Sequence, residues 1–391
     1  MFSFHRRKSR ISNDSPSHSP SPHSSPPLEE QCQTTESESP STVVNVLLVG
    51  QIYNDTILYI NEYPKEDTKL RANDMEQRRG GNICNTAEVL SQFPRLNPHV
   101  MSCLGPKEAS TALISSLETL GIKTKACIHR QTPTPSSYII QSADSGSRTI
   151  ISYNKTIDMT KDEFIHKFEE ASNNKTKMLC DRQIPFSWVH FEGRNVHNVV
   201  EQIDWLDTKA TQEGWRSQLI ISVELEKPDR PDIDLLLPKG DVVFFSKLFA
   251  QTRQYNHPKD FLQAIRPQCK SSAKLFLTWG EQGASCLLEN GEIIHASAMP
   301  IHQVVDSVGA GDTFIAGIIF CLCRKLNVLT ALKFSCELAS RKVTQNGFNG
   351  LAKLMSRLWE ASLDIATGHK HLTLSSTSED QLSTTSSTPF I

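Results

Sequence analysis

The feature that most constrains the fold is the alternation of apolar strands with amphipathic helices along most of the chain. Residues 43–50 read Val-Val-Asn-Val-Leu-Leu-Val-Gly, an apolar run typical of a strand that is buried on both faces. Further predicted strands at 99–104, 188–191, 219–225, 241–246 and 274–278 are separated by predicted helices at 108–120, 196–210 and 259–265. This order predicts an α/β fold with a mainly parallel sheet and helices on both faces.

A second group of strands does not follow this alternation. Residues 51–60 are strand-like, and 136–142 and 148–153 read as two arms of a hairpin. We therefore predict a small β-sheet beside the main body, formed within about residues 51–80 and 134–153.

A glycine turn near the end of the chain is the strongest indication of chemistry. Residues 304–314 read Val-Val-Asp-Ser-Val-Gly-Ala-Gly-Asp-Thr-Phe and run into an apolar segment that predicts a buried core helix. The turn would direct the free N–H groups of that helix at an anion. Asp312 would repel an anion, so its presence there favours a base that takes a proton from an attacking hydroxyl. The alternative is that it simply caps the helix.

Composition excludes several classes of function. The net charge of −2 offers no basic face for nucleic acid, and no apolar run is long enough to span a bilayer. The ten cysteines are scattered without a C-x-x-C pair or a secretory signal, which favours a cytoplasmic protein. The glycine turn matches neither a Walker loop nor a dinucleotide fingerprint.

Both ends of the chain are predicted to be disordered. Residues 1–42 are rich in Ser and Pro, and residues 371–391 are rich in Ser and Thr, with no apolar periodicity in either. The folded domain is predicted to span residues 43–358.

Two segments at opposite ends of this domain resemble those of a known family. Residues 305–314 resemble the C-terminal signature of the PfkB (ribokinase-like) sugar kinases, and Gly80-Gly81-Asn82 with Asn85 resembles their N-terminal signature. Segments at 63–67, 134–137, 192–195, 223–228 and 240–247 are similar to the ketohexokinase subfamily in particular. The resemblance implies a ribokinase-like α/β fold in which the small sheet forms a lid.

The resemblance implies a catalytic centre and a sugar site. Asp312 would be the catalytic base, and the amides of Gly309, Ala310 and Gly311 would form the anion hole. The sugar hydroxyls would be held by Asp55, Gly81, Asn82 and Asn85, whose polar groups can donate and accept as a polyol requires. On the residues alone, Asn82 could instead cap a helix and Asp55 could be an exposed strand residue.

The resemblance also implies a nucleotide site. Arg148 would reach the phosphates from the lid, and Lys247 would lie near the transferred phosphoryl group. The remaining nucleotide-binding positions are Trp279, Gly280, Glu281, Gly283, Phe314 and Cys336. Without the resemblance, Arg148 is read as a solvated hairpin charge, and Phe314 and Cys336 as core residues.

Two positions depart from the family pattern. Leu248 stands where ketohexokinases carry an acid, and Glu224 or Glu226 is a candidate for an outer-shell role only. Val343 replaces a cysteine that the relatives carry on the adenine side.

Taken together, the resemblance implies transfer of the γ-phosphoryl group of ATP to the C1 hydroxyl of D-fructose. Mg²⁺ would be the metal, K⁺ an activator, and a homodimer would form through the lid. Two alternatives are a kinase for ribose, a nucleoside or the C6 hydroxyl of fructose, and a relative that binds nucleotide or sugar without turnover.

Overall fold

The structure is a computed structural model that describes residues 43–144, 148–172 and 184–356. The predicted disordered segments at 1–42 and 371–391 lie outside these ranges. The described strands are β1 (Val44–Val49), β2 (Tyr53–Ile60), β3 (Asp74–Gly80), β4 (Leu96–Met101), β5 (Cys103–Leu104), β6 (Ile128–His129), β7 (Ser136–Ser142), β8 (Arg148–Tyr153), β9 (Trp188–Glu192), β10 (Ile220–Leu225), β11 (Val242–Phe245), β12 (Lys274–Thr278), β13 (Ala284–Leu287) and β14 (Ile293–Ala296).

Eight of these strands form the main sheet, in the order β14-β13-β12-β11-β10-β9-β1-β4. The strands from β12 to β4 in this order pair in parallel, whereas β13 pairs antiparallel with both β12 and the edge strand β14. The carboxyl ends of β1, β9, β10 and β11 therefore meet along one edge of the sheet. Ligands of open α/β sheets bind at such an edge.

Helices cover both faces of the main sheet, as the sequence predicts. Along β1, Val46 and Leu48 face one core cluster while Leu47 and Val49 face the other. The apolar run of this strand is thus explained by burial on both sides. The described α-helices are α1 (Asn82–Leu90), α2 (Lys107–Thr119), α3 (Lys161–Ser172), α4 (Val196–Gln212), α5 (Lys247–Thr252), α6 (Pro258–Ile265), α7 (Ala310–Cys323), α8 (Val328–Val343) and α9 (Leu351–Leu354).

Helices α1, α2, α7 and α8 contribute to the first cluster, and α3, α4, α5 and α6 to the second. Helix α7 is buried along most of its length, so the predicted core helix is confirmed. Within the described ranges, no helix combines the length and apolar character needed to cross a membrane.

The small sheet has the order β3-β2-β7-β8. The predicted hairpin is confirmed, because β7 and β8 pair antiparallel, with Ser136 opposite Tyr153. Strand β3 was not predicted. Its sequence, Asp-Met-Glu-Gln-Arg-Arg-Gly, is mostly polar and exposed, and its strand geometry comes from pairing with β2.

Candidate active site

A cavity of about 370 Å³ lies where the small sheet faces the carboxyl ends of β9, β10 and β11. Its lining includes Asp55 of β2, Arg148 of β8, Glu192 of β9 and Glu224 of β10. The glycine turn before α7 closes one side. The position agrees with the general rule for ligand sites in parallel sheets.

The glycine turn directs the first turn of α7 into the cavity. Gly309 is the N-cap residue, with φ of 76°, a left-handed conformation that glycine adopts without strain. Gly309, Ala310, Gly311 and Asp312 all line the cavity. The positive end of the helix dipole and its N–H groups can therefore receive an anion there.

The carboxylate of Asp312 is held by the other signature segment. Asn85 of α1 donates a 2.7 Å hydrogen bond to Asp312 Oδ2, and the Thr86 hydroxyl donates to the Asp312 carbonyl at 3.3 Å. Asp312 is buried. The geometry thus brings a buried carboxylate, an amide donor and a helix N-terminus into one site.

Asp55 is buried, so it is not the exposed strand residue of the alternative interpretation. Its Oδ1 atom has no hydrogen-bond partner among the described residues. Burial raises the pKa of this carboxyl, and the Ser137 hydroxyl and Arg78 partly oppose the rise. A buried acceptor beside a cavity is suited to a hydroxyl of a ligand.

Asn82 links the sugar-side residues to the acidic end of the cavity. Helix α1 begins at Asn82 with Gly81 as its N-cap, so Asn82 is not the capping residue. Its Nδ2 group donates to Glu224 Oε1 and to Glu226 Oε2, both at 3.0 Å. Both glutamates line the cavity.

The carboxylates of Asp312, Glu192, Glu224 and Glu226 cluster at the acidic end of the cavity. Burial and the charge of Glu224 hold the pKa of Asp312 well above its ordinary value, although the Asn85 hydrogen bond opposes this. Burial, followed by Glu226 and Glu192, raises the pKa of Glu224 in the same way. Such a concentration of negative charge is balanced best by a bound cation.

Glu192 behaves differently from Asp312 and Glu224. Burial would raise its pKa, but Arg194 and Arg230 outweigh that effect and the pKa is lowered. Arg194 Nε donates to Glu192 Oε1 at 2.9 Å, and Arg230 lies 3.6 Å from the same oxygen. Glu192 is therefore already neutralised by protein cations.

The candidate metal ligands are Glu224 and Glu226. Among the described residues, no group of three His, Cys, Asp or Glu side chains is placed to bind a metal ion directly. Mg²⁺, however, commonly binds one or two carboxylates together with waters and phosphates. The buried Oε2 of Glu224 lacks a hydrogen-bond partner within the described chain, which fits such a ligand. Leu248 is exposed and supplies no acid.

The predicted nucleotide residues divide into two groups. Arg148 lines the cavity and donates a 2.9 Å hydrogen bond to Ser307 Oγ, so the small sheet contacts the glycine turn. Phe314 also lines the cavity. The other predicted nucleotide residues lie outside the cavity lining that the described residues form: Lys247, Trp279, Gly280, Glu281, Gly283 and Cys336.

Within that outer group, the Lys247 ammonium lies 5.7 Å from the centre of the Trp279 ring. Gly283 must lack a side chain, because a Cβ there would lie 2.1 Å from the Ala296 carbonyl oxygen. The Cys336 thiol lies 3.5 Å from the same oxygen, and Cys336 is part of the core cluster. Gly283 and Cys336 thus both pack against the carbonyl of Ala296 in β14.

Sequence reasoning assigned no role to Glu192 and Arg194, and only a weak one to Glu224. Glu192 and Glu224 are register partners on the adjacent strands β9 and β10, which places both at the cavity. The available signal was that each acid stands at the end of a predicted strand. The pairing of those two strands was not evident from the sequence.

Residues 44–353 match the family described as pfkB family carbohydrate kinase. The chain belongs to this family. Mouse (Mus musculus) ketohexokinase is 32% identical over 307 residues, which cover 78% of this chain and 98% of that protein. The predicted family and the general activity of a sugar kinase are thereby confirmed.

Solved structures of low sequence identity show the same fold. Ribokinase from Giardia lamblia aligns with a TM-score of 0.66 at 14% identity, over 81% of this chain and 99% of that chain. Arabidopsis thaliana ribokinase, complexed with ribose and ATP, aligns with a TM-score of 0.62 at 15% identity, over the same shares. The predicted ribokinase-like α/β fold is confirmed.

Proposed function

We propose that this PfkB protein transfers the γ-phosphoryl group of ATP to the C1 hydroxyl of D-fructose. The observation that carries the proposal is the buried Asp312 carboxylate at the N-terminus of α7, held by Asn85 at 2.7 Å. Asp312 takes the proton of the hydroxyl, whose oxygen forms a bond to the γ-phosphorus. The bond from that phosphorus to the bridging oxygen breaks, and ADP leaves.

The amides of Gly309, Ala310 and Gly311 stabilise the charge that develops on the moving phosphoryl group. Preorganised N–H groups of this kind act mainly on the transition state. Asp55, Gly81, Asn82 and Asn85 orient the sugar, with the free Oδ1 of Asp55 as a hydroxyl acceptor.

Arg148 binds the phosphates from the small sheet, exchanging its contact with Ser307 for phosphate oxygens. Lys247 lies toward the transferred group, and Trp279, Gly280, Glu281, Gly283, Phe314 and Cys336 bound the nucleotide. In this proposal, nucleotide binding extends the cavity past its present lining toward β13.

Glu224 and Glu226 would hold Mg²⁺, which neutralises phosphate charge when it is bound. Neutralising these carboxylates also removes a cause of the raised pKa of Asp312. The base would then ionise at a lower pH in the complete complex than in the free enzyme.

Fructose is favoured over other acceptors by the 32% identity to mouse ketohexokinase. Ribose remains the second candidate, because the Bacillus subtilis (strain 168) ribokinase is 21% identical over 95% of that protein's length. The two candidates share the same base and anion hole, so they differ only in the sugar.

The small sheet supports a homodimer. Alternation along β8 directs Arg148, Ile150 and Ser152 toward the cavity, which leaves Ile151 and Tyr153 on the outer face. Tyr138 lies opposite Ile151 on this outer face, and all three apolar side chains are exposed. A second copy would cover them. Light scattering that reports a monomer at micromolar concentration would contradict the proposed homodimer.

ADP formation by the purified protein tests the proposed function. The assay contains Mg-ATP and potassium, with D-fructose, ribose, a nucleoside or no acceptor, and NMR identifies the product. We expect fructose-dependent turnover that gives fructose 1-phosphate. Turnover with ribose alone, or phosphorylation at C6, would overturn the acceptor. Nucleotide binding without turnover on any acceptor would overturn the activity.

A further inference from the structure

Lys342 is a buried charge to which the proposed reaction assigns no role. It lies in α8 behind the glycine turn, and its side chain has no exposed surface. Its ammonium donates to Asp306 twice, to the carboxylate Oδ2 at 2.7 Å and to the backbone carbonyl at 3.0 Å. Burying an ammonium is unfavourable unless it is paired and hydrogen-bonded, so these contacts need an explanation.

Asp306 connects this ammonium to the anion hole. Its Oδ1 atom accepts a 2.9 Å hydrogen bond from the N–H of Val308, the residue before Gly309. The N–H groups of Val305 and Asp306 donate to the Val343 carbonyl at 2.8 and 3.2 Å. The start of the turn is therefore fixed to the end of α8 by its backbone and by the Asp306–Lys342 pair.

A second contact connects Lys342 to Gly309 indirectly, through the ring of Phe348. The ammonium lies 5.1 Å from the centre of the Phe348 ring, within the range of a cation–π interaction. A Cβ at Gly309 would lie 2.4 Å from Cζ of the same ring. Lys342 thus contacts groups on both sides of the residue at which the anion hole begins.

The Asp306 carboxylate is held in its charged form, although burial lowers the pKa of the Lys342 ammonium that pairs with it. Burial would raise the pKa of Asp306, but the Lys342 ammonium, the Val308 N–H and Arg78 outweigh burial and lower it. Arg78 reaches Asp306 Oδ2 at 3.6 Å from strand β3. The carboxylate therefore receives one cation from behind the turn and another from the small sheet.

We propose that Lys342 is a positioning residue for phosphoryl transfer. By holding the carboxylate and the carbonyl of Asp306, it fixes the turn that presents the Gly309–Gly311 amides to the moving phosphoryl group. The inference rests on the proposed function of those amides. An internal ammonium thereby fixes the geometry of those amides.

Lys342→Met keeps the length and apolar stem of the side chain and removes its charge. A misplaced anion hole acts on the transition state, so kcat should fall at least about tenfold while KM for sugar and ATP changes by less than about threefold. Lys270→Met is the matched control. This substitution breaks the 3.0 Å ion pair between Lys270 and Asp241. Because neither residue lines the cavity, kcat should not change.

The double variant Asp306→Asn/Lys342→Met separates positioning from folding. Lys342→Met leaves the Asp306 carboxylate with Arg78, at 3.6 Å, as its remaining cation and should lower the melting temperature. The double variant also removes the charge of that carboxylate and should regain much of the lost melting temperature. We expect kcat to stay low in the double variant. Recovery of kcat together with the melting temperature would show that Lys342 acts only on stability, and would overturn the proposal. Unchanged kcat in folded Lys342→Met would overturn it as well.

Equilibrium binding keeps this test separate from the choice of sugar. The affinity for ADP with aluminium fluoride, a mimic of the moving phosphoryl group, should fall at least about tenfold in both variants. The affinity for ADP alone should not change. Wild-type turnover with an acceptor other than fructose would correct the proposed function. The ratios of variant to wild-type kcat, and of variant to wild-type affinity for ADP with aluminium fluoride, would still decide the role of Lys342.

Discussion

Asn85 donates a 2.7 Å hydrogen bond to the carboxylate of Asp312 across 227 positions of the chain. Helix α1 and helix α7 pack together, so the two signature segments share one site. The hydrogen bond to Asn85 lowers the pKa of Asp312 against burial and the charge of Glu224. The Asn85 hydrogen bond therefore favours the ionised form of the proposed base.

Asn85→Leu should shift the pH dependence of the reaction. Without the hydrogen bond, the pKa of Asp312 rises further, because burial and Glu224 already raise it. A base works only when it is deprotonated, so the acidic limb of the kcat/KM profile should move to higher pH. Asn198→Leu, on the surface helix α4, should leave the profile in place. A limb that stays or moves to lower pH in Asn85→Leu would contradict the assignment.

Glu224→Gln should move the same limb in the opposite direction. The charge of Glu224 is the largest cause after burial of the raised pKa of Asp312, so removing it lowers that pKa. The acidic limb should then lie at lower pH than in the wild type, measured as kcat/KM from pH 5 to 9. The maximal rate should also fall, since Glu224 is a proposed metal ligand. A limb shifted to higher pH would show that Glu224 does not act on the base.

Gly311→Ala should lower activity without loss of stability. A Cβ at Gly311 meets no atom within 4 Å and therefore projects into open space in the cavity lining. It would obstruct the approach of phosphate, and we expect about tenfold to hundredfold lower kcat with an unchanged melting temperature. Gly121→Ala is the control, because its φ of 82° is strained for alanine but it lies away from the cavity. Gly121→Ala should have a lower melting temperature and retain its kcat. If Gly311→Ala retained its kcat and Gly121→Ala lost it, the anion-hole assignment would be refuted.

Asp312→Asn should stabilise the protein increasingly as the pH rises. The folded-state pKa of Asp312 is raised, so its contribution to stability is fully present below the unfolded-state pKa of about 4 and is lost as the pH rises toward the folded-state value. Asparagine does not titrate. The melting temperature of the variant minus that of the wild type should therefore grow from pH 4 to pH 7, by at least about 2 °C. A constant or falling difference would mean that Asp312 is not destabilised by ionisation.

The sequence was sufficient to predict the main sheet and the glycine turn. The apolar runs of β1 and α7 are long enough to be recognised without tertiary information, and both are buried as predicted. Strand β3 could not be predicted because its residues are mostly polar and its geometry depends on hydrogen bonds to β2. Local patterns identify elements that bury apolar surface, and they miss elements that are fixed by a neighbour.

The same limit applies to the candidate site. The Asp312 segment was evident because all its parts are contiguous in the chain. The register that pairs Glu192 with Glu224, and the contact between Lys342 and Asp306, depend on how distant elements pack. Charged residues in strands and helices are common, so their burial at one site was evident only in three dimensions.

The turnover of Asp312→Asn tests the central claim most directly. The substitution keeps the size of the side chain and removes the base. With the acceptor that the wild type phosphorylates, we expect kcat to fall at least about a hundredfold, with ATP affinity measured by calorimetry within about threefold of wild type. A variant that retains nearly full turnover would contradict the role of Asp312 as the base.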